Sequence, residues 1–168
     1  GCGASSDRAT GIAVADDGRV LVTGEFRGAG VFDAGNFNST GNSADVFVMS
    51  YTATGVAQWF KQGLAAADDQ ATDVVVDAMG NSYACGQFSG DITFDQAHTN
   101  GALNQGFLVK FDDTGAEQWF RKVGGAILQR MADMQIDEIG DLVLCGDVQG
   151  TLNVYDTSPD AIANTQPS

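Results

Sequence analysis

Apolar residues recur along the chain in short runs, and turn signals separate these runs. Residues 11–15 and 19–24 are two such runs, joined by Asp16, Asp17 and Gly18. A glycine in this place can adopt the left-handed backbone conformation that a tight hairpin needs. The pattern therefore predicts a β-hairpin. No stretch of the chain shows helical periodicity with caps at both ends.

The same pattern of apolar runs and turn signals predicts ten strands in all. They cover residues 11–15, 19–24, 46–51, 56–60, 72–77, 81–86, 106–111, 116–120, 132–137 and 141–146. Several of them are apolar at consecutive positions, as in residues 46–49 and 107–109. A half-exposed sheet would alternate between apolar and polar residues instead. Stacked sheets that are covered on both faces account better for this pattern.

The chain also repeats itself. Residues 9–24, 71–86 and 131–146 superpose with shifts of 62 and then 60 residues. The recurring glycines are Gly18, Gly80 and Gly140, then Gly24, Gly86 and Gly146. The aromatic residues Phe26, Phe32, Phe47, Trp59 and Phe60 recur as Phe88, Phe94, Phe107, Trp119 and Phe120. We therefore divide the chain into repeat units of approximately residues 9–70, 71–130 and 131–168, the last of them incomplete.

Repeats of this length with hairpin turns and four or more strands each indicate an all-β fold made of β-propeller blades. Each blade is expected to be an antiparallel sheet of four strands or more. A right-handed β-helix is the competing stack, but its coils are much shorter than this period. Residues 1–168 are accordingly predicted to form a partial β-propeller, a segment of a larger ring.

The second unit carries a longer motif. It comprises Asp69, Ala71, Val76, Asp77, Gly80, Asn81, Tyr83 and Gly86, followed by Phe107, Leu108, Val109, Lys110, Gly115 and Trp119. This motif resembles the bacterial β-propeller repeat called SBBP, and Phe88, Gly90, Phe94 and Asp95 resemble a common elaboration of it. The resemblance implies a closed ring of several blades, typically around seven, in secreted or cell-surface proteins.

Two departures from the motif accompany this resemblance. Ala15 stands where the other units have Asp77 and Asp137, and the third unit has no matching tryptophan. The chain thus contains two full units and part of a third. We expect it to be a portion of a longer polypeptide.

Charge and composition exclude several functions. The 22 acidic residues against 8 lysines and arginines give a formal charge of −14. Nucleic-acid binding needs clustered basic residues, and anionic lipid attracts them, so both partners are disfavoured. Long uncharged stretches such as residues 47–60 are interrupted by polar residues, so no membrane span is expected. A hydrophobic fraction of 43% argues against a disordered chain.

The cysteines are expected to be structural. Cys85 and Cys145 occupy the same repeat position. Stacked sheets would place them roughly 10 Å apart, too far for a disulfide, so both are predicted to be buried and not linked to each other. Cys2 lies within the repeat, which disfavours a lipid-modified N-terminus. The three cysteines have no zinc-ligand spacing.

Other candidate residues also have a structural interpretation that we favour. The acidic pairs Asp16–Asp17, Asp68–Asp69 and Asp112–Asp113 offer oxygen ligands for calcium, but turn formation and solubility explain them better. We assign no catalytic, cofactor-binding or metal residue. His98 is predicted to be a solvated loop residue. Trp59 and Trp119 recur next to Phe60 and Phe120, which suggests packing between blades rather than a ligand site.

These observations predict a protein that is not an enzyme. We expect an extracellular or cell-surface β-propeller that serves as a structural, adhesion-type protein-interaction module. Its partner would be another protein or the remaining blades of the same polypeptide. The alternatives are a carbohydrate-binding propeller, or a hydrolase or lyase whose site lies in blades absent from this chain. Expressed alone, residues 1–168 are expected to aggregate, oligomerise or remain partly unfolded.

Overall fold

The fold is described from a computed structural model, and the structure describes residues 7–99, 104–124, 129–148 and 153–155. Cys2 and most of the chain after residue 148 lie outside these ranges. The described elements are β1 (Arg8–Val14), β2 (Val20–Arg27), β3 (Ala29–Phe32), β4 (Gly35–Asn38), β5 (Ala44–Tyr51), β6 (Ala57–Ala65), β7 (Gln70–Val76), β8 (Ser82–Ser89), β9 (Ile92–Thr93), β10 (Ala97–His98), β11 (Asn104–Phe111), β12 (Glu117–Gly124), β13 (Gln129–Ile136), β14 (Leu142–Val148) and β15 (Asn153–Tyr155).

All ten predicted strands overlap an observed strand, and no helix occurs in the described ranges. The predicted all-β class is therefore confirmed. The structure adds five short strands that the apolar runs did not indicate, β3, β4, β9, β10 and β15. Four of these five form two small hairpins, β3–β4 and β9–β10.

The hairpin turns have the glycine conformation that the sequence predicts. Gly18, Gly80 and Gly140 have φ angles of 84°, 85° and 93°, values that side chains disfavour. Asp77 supports its turn by accepting hydrogen bonds at Oδ1 from the amides of residues 79 and 81, both 2.9 Å long. Asp17 accepts a similar bond from the Arg19 amide, so the first turn forms although Ala15 replaces the aspartate.

The strands form antiparallel sheets of two to six strands. One sheet has the order β1-β2-β5-β6-β9-β10, and another has the order β15-β12-β11-β8-β7. The pairs β13–β14 and β3–β4 are separate two-stranded sheets. No sheet closes on itself in the described part of the chain. For clarity, β1–β6 are called unit 1, β7–β12 unit 2 and β13–β15 unit 3.

A β-bulge explains why one glycine recurs in each unit. The first two strands of each unit change register at Ala9/Gly11, at Ala71/Asp73 and at Met131/Asp133. The facing residues are Gly24, Gly86 and Gly146, where a Cβ atom would lie 2.0, 2.0 and 2.2 Å from a backbone carbonyl oxygen. Only glycine allows the two backbones to approach this closely at the bulge.

The units pack face to face. Strand β7 of unit 2 lies against β1 and β2, and β13 of unit 3 lies against β7 and β8. The core between units 1 and 2 contains Val46, Val48, Ala65, Ala71, Ala84, Phe88, Ile92, Phe107, Val109 and Phe111. The core between units 2 and 3 contains Tyr83, Cys85, Leu108, Val123, Met131 and Met134. Burial between neighbouring units therefore supplies much of the hydrophobic stabilisation.

Candidate interaction surfaces

The face of unit 1 that points away from unit 2 is here called the leading face. It carries a cluster of aromatic rings, formed by Phe26, Phe32, Phe37, Phe47 and Phe60, which is covered by the β3–β4 hairpin. Four apolar residues of unit 1 are exposed, Ile12, Val14, Val31 and Val56, and of these Ile12 pairs with Val22, which packs against the cluster. Exposed apolar residues next to such a cluster mark a candidate interaction surface.

One repeat position shows what would cover the leading face. Ile12, Val74 and Met134 occupy equivalent positions in units 1, 2 and 3. Val74 is 1% exposed and Met134 is 4% exposed, whereas Ile12 is 69% exposed. Units 2 and 3 each have a preceding unit against them, whereas none of the described residues forms such a unit against unit 1, so the exposure of Ile12 follows from its surroundings rather than from its residue type.

The opposite face of unit 3, here called the trailing face, shows the reverse pattern. Leu21 and Tyr83 are buried by the following unit, while the equivalent Val143 is 55% exposed. Cys85 is buried, and burial raises the pKa of its thiol to about 11. Cys145 is exposed, so its predicted burial is wrong. Burial at this position needs a following unit, which the described residues do not supply. The two cysteines are not linked to each other, as predicted.

Short strands pair with the outermost strand of the preceding unit and so connect units 1 and 2 and units 2 and 3. Strand β9 of unit 2 pairs with β6, the outermost strand of unit 1, through Thr93 with Leu64 and Ile92 with Ala65. In the same way β15 of unit 3 pairs with β12, the outermost strand of unit 2. The equivalent strand of unit 1 is β3. Among the described strands β3 pairs only with β4, so its other edge is open.

His98 is not the solvated loop residue that the sequence predicts. It lies in β10, its ring stacks on Phe120 at 4.0 Å between centroids, and its Nε2 lies 2.6 Å from Oε1 of Glu117. Its side chain is only 18% exposed. Phe37 has the same place in unit 1, stacked on Phe60 at 3.9 Å. His98 therefore anchors its hairpin as an aromatic side chain.

Glu117 completes this anchor. Its Oε2 accepts hydrogen bonds from the amides of Asp95 and Gln96, both 3.0 Å long. Sequence reasoning missed Glu117, because its partners lie about twenty residues earlier in the chain. The carboxylate thus holds the turn of the β9–β10 hairpin in place as well as contacting His98.

A cleft of about 290 Å³ lies between turns of units 1 and 2. Its lining includes Asp16, Asp17, Asp77, Asp113 and Arg19. The Arg19 guanidinium is buried and donates to the carbonyl oxygens of Gly80 at 2.8 Å and Asp113 at 3.0 Å. Arg19 therefore joins the two units, and nothing in the sequence pattern signals this role, because the other units have Asn81 and Asp141 there.

The acidic pairs have different surroundings. Asp112 lies in a turn, where hydrogen bonds from the Thr114 hydroxyl and the neighbouring backbone amides lower the pKa of its carboxyl. Asp68 accepts bonds from the Ala44 amide and from Arg27, which lower its pKa. Asp69 is fully buried, and this burial raises the pKa of its carboxyl to about 7. No group of three potential metal ligands occurs in the described ranges.

The tryptophans lie between units. Trp59 of unit 1 packs 6.1 Å from the Phe111 ring of unit 2, and its Nε1 donates to the Asp113 carbonyl oxygen at 3.1 Å. Trp119 of unit 2 packs against the core shared with unit 3. These contacts agree with the predicted packing role of both residues.

A scan against protein-family models found no match, and a search of the curated proteins found none either. In the described part of the chain no helix is long and apolar enough to cross a membrane.

Proposed function

We propose that this chain is a segment of a β-propeller and that it is not an enzyme. It serves as a structural and protein-interaction module of the adhesion type, located outside the cell or on its surface. The observation that carries the proposal is the contrast between Ile12 and its buried equivalents Val74 and Met134. A chain whose units complete one another's cores, and whose two end faces are apolar, is suited to extending or capping a stack of such units.

The placement of the titratable groups supports a non-catalytic role. The single histidine is packed on Phe120, and both oxygens of its partner Glu117 are engaged within the hairpin. A general acid or base needs to reach a reacting group in a cleft. The cleft that contains Arg19 is instead crossed by bonds that hold turns together.

The acidic surface supports an interaction role in solution. With a formal charge of −14 the molecule repels other copies at long range and discourages non-specific association. Specific contacts would then depend on the apolar end faces. The SBBP-like motif adds the expectation of a secreted or surface location.

Size-exclusion chromatography and thermal melting of residues 1–168 test this proposal. We expect concentration-dependent association, because both end faces expose apolar residues. The double variant Ile12→Lys and Val143→Lys, which charges both faces, should shift the protein towards a monomer. The matched control is Met79→Lys with Ile139→Lys, two exposed apolar residues in hairpin turns, and this control should leave association unchanged.

Two results would count against the proposal. A clean monomer at every concentration tested would mean that the end faces need no partner. Binding to a glycan array that the end-face variant leaves intact would favour the carbohydrate-binding alternative.

A further inference from the structure

The unit 1–unit 2 junction provides a template for a second, unoccupied junction on the leading face. At the observed junction four features coincide: β9 pairs with β6, Lys61 bonds Asp95 at 2.6 Å, Trp59 covers Gly115, and Val74 is buried. Each of the four has an equivalent in unit 1 for which no described strand or side chain supplies the matching contact. The counterparts are β3, Asp33, Gly55 and Ile12.

The counterparts are open in the structure. A Cβ atom built on Gly115 would lie 2.8 Å from the Trp59 ring, whereas one built on Gly55 would meet nothing within 4 Å. Asp33 is exposed at the position that Asp95 occupies beside Lys61. Ile12 and Val31 are exposed as well.

We propose that the β3 edge and the leading face of unit 1 receive a complete unit of this same repeat, placed ahead of unit 1. The inference rests on the proposed function and specifies its partner. The outermost strand of that unit pairs with β3 as an added strand. The register of this pairing is the one that β6 has with β9 at the observed junction. Its residues equivalent to Leu64 and Ala65 lie opposite Val31 and Gly30.

The chemistry of the partner strand follows from the same template. It carries a basic residue that pairs with Asp33, as Lys61 pairs with Asp95; unit 2 has Arg121 at this repeat position. It also carries a tryptophan two residues earlier, which covers Gly55 as Trp59 covers Gly115. Added main-chain hydrogen bonds supply affinity, and these side chains set the register.

A tandem chain tests the proposal. A copy of residues 7–68 is placed directly before residues 7–168, so that Asp68 is followed by Asp7. This junction keeps the repeat frame, because Asp7 is equivalent to Asp69. Hydrogen exchange of the amides of β3 is then compared between the tandem chain and the original chain, both at a concentration at which the original chain is monomeric.

We expect the β3 amides of the second copy to exchange at least about tenfold more slowly in the tandem chain. The β4 amides should not change, since β10, the equivalent of β4, remains at the sheet edge. In the tandem chain Val31→Pro of the second copy should abolish the added β3 protection, because proline cannot donate at a sheet edge. Asn36→Pro, at the residue opposite Val31 on β4, is the matched control and should retain it.

A second readout separates the strand pairing from the proposed function. Ile12→Ala in the second copy should lower the melting temperature of the tandem chain by several degrees, and should have little effect in the original chain. If Ile12→Ala becomes costly while β3 gains no protection, the strand pairing is wrong and the stacking of units stands. If neither readout changes, both proposals are wrong. In the tandem chain, protection of the second copy's β3 that increases with protein concentration would show another molecule docking there instead, which contradicts the placement ahead of unit 1.

Discussion

Arg19 connects units 1 and 2 through backbone carbonyl groups rather than through a carboxylate of unit 2. Its guanidinium reaches the carbonyl oxygens of Gly80 and Asp113, one in each of two turns of unit 2. Hydrogen bonds from a charged, buried donor are among the stronger ones in proteins. The side chain therefore fixes the position of both turns relative to unit 1.

Replacing Arg19 by methionine keeps much of the apolar stem but removes both bonds. We expect Arg19→Met to lower the free energy of unfolding by about 2–3 kcal/mol, measured by urea denaturation. Arg8→Met is the control, because Arg8 is exposed and its loss should cost less than about 0.5 kcal/mol. Equal costs for the two variants would refute the connecting role of Arg19.

Asp69 carries a buried carboxyl group, and its contribution to the free energy of unfolding depends on pH. Its Oδ1 accepts a bond from the Ser89 amide, and the pKa of the carboxyl is raised from 3.8 to about 7 by burial and by the nearby Asp45 and Asp68. Between pH of about 4 and 7 the folded state therefore binds a proton that the unfolded state has released. Since the folded state binds more protons, stability falls as the pH rises through this range.

Asp69→Asn removes this dependence while keeping an oxygen acceptor for the Ser89 amide. We expect the wild-type chain to lose up to a few kcal/mol relative to Asp69→Asn between pH 4 and pH 7, because one pKa unit corresponds to about 1.4 kcal/mol. Urea denaturation at several pH values measures the difference. Asp16→Asn, at an exposed residue, is the control and should follow the wild-type profile. A pH-independent difference between wild type and Asp69→Asn would contradict the shifted pKa.

Residue environments of this kind were only partly predictable from the sequence. The turn glycines were predictable because their constraint is local and depends on a few neighbouring residues. The role of His98 was not, because Glu117 and Phe120 meet it from a later strand. The exposure of Cys145 was not predictable either, because it depends on whether another unit lies against it.

At the scale of elements, the bulge at the start of each unit brings the backbone of the first strand close to a glycine in the second strand. The carbonyl oxygen of Gln70 occupies the space that a side chain on Gly86 would need. The glycine is thus required by close backbone approach rather than by an unusual φ angle. The recurrence of the glycine was visible in the sequence, but this cause was not.

Gly86→Ala should therefore disrupt the β7–β8 pairing. We expect a loss of at least about 3 kcal/mol of unfolding free energy, or failure to fold, measured by urea denaturation and far-UV circular dichroism. Gly41→Ala is the matched control. Its φ angle is 64° but its surroundings are open, so it should cost only about 1–2 kcal/mol. A smaller loss for Gly86→Ala than for Gly41→Ala would show that the bulge can relax.

The long strands could be predicted from the sequence, whereas the short strands could not. Strands such as β5 and β11 contain continuous apolar runs because both of their faces are buried. Strands β9 and β10 have only two residues each, too few for a periodic signal. Their positions depend on pairing with β6 and on the anchor at His98, which the local sequence does not reveal.

At the scale of the whole molecule, neighbouring units share cores, and among the described residues no further unit lies against unit 1 or unit 3. The all-β class and the antiparallel sheets could be derived from the turn spacing and the repeat. The ring that the SBBP resemblance implies stays a prediction, because no sheet closes on itself in the described part of the chain. What the described units establish is how each one packs on the next.

The central claim is that one repeat position is buried or exposed according to the presence of a preceding unit. The most direct test compares Val74→Ala with Ile12→Ala by urea denaturation. We predict that Val74→Ala costs about 2 kcal/mol, while Ile12→Ala changes stability by less than about 0.5 kcal/mol, although isoleucine loses the larger side chain. A cost for Ile12→Ala equal to or greater than that for Val74→Ala would contradict the claim.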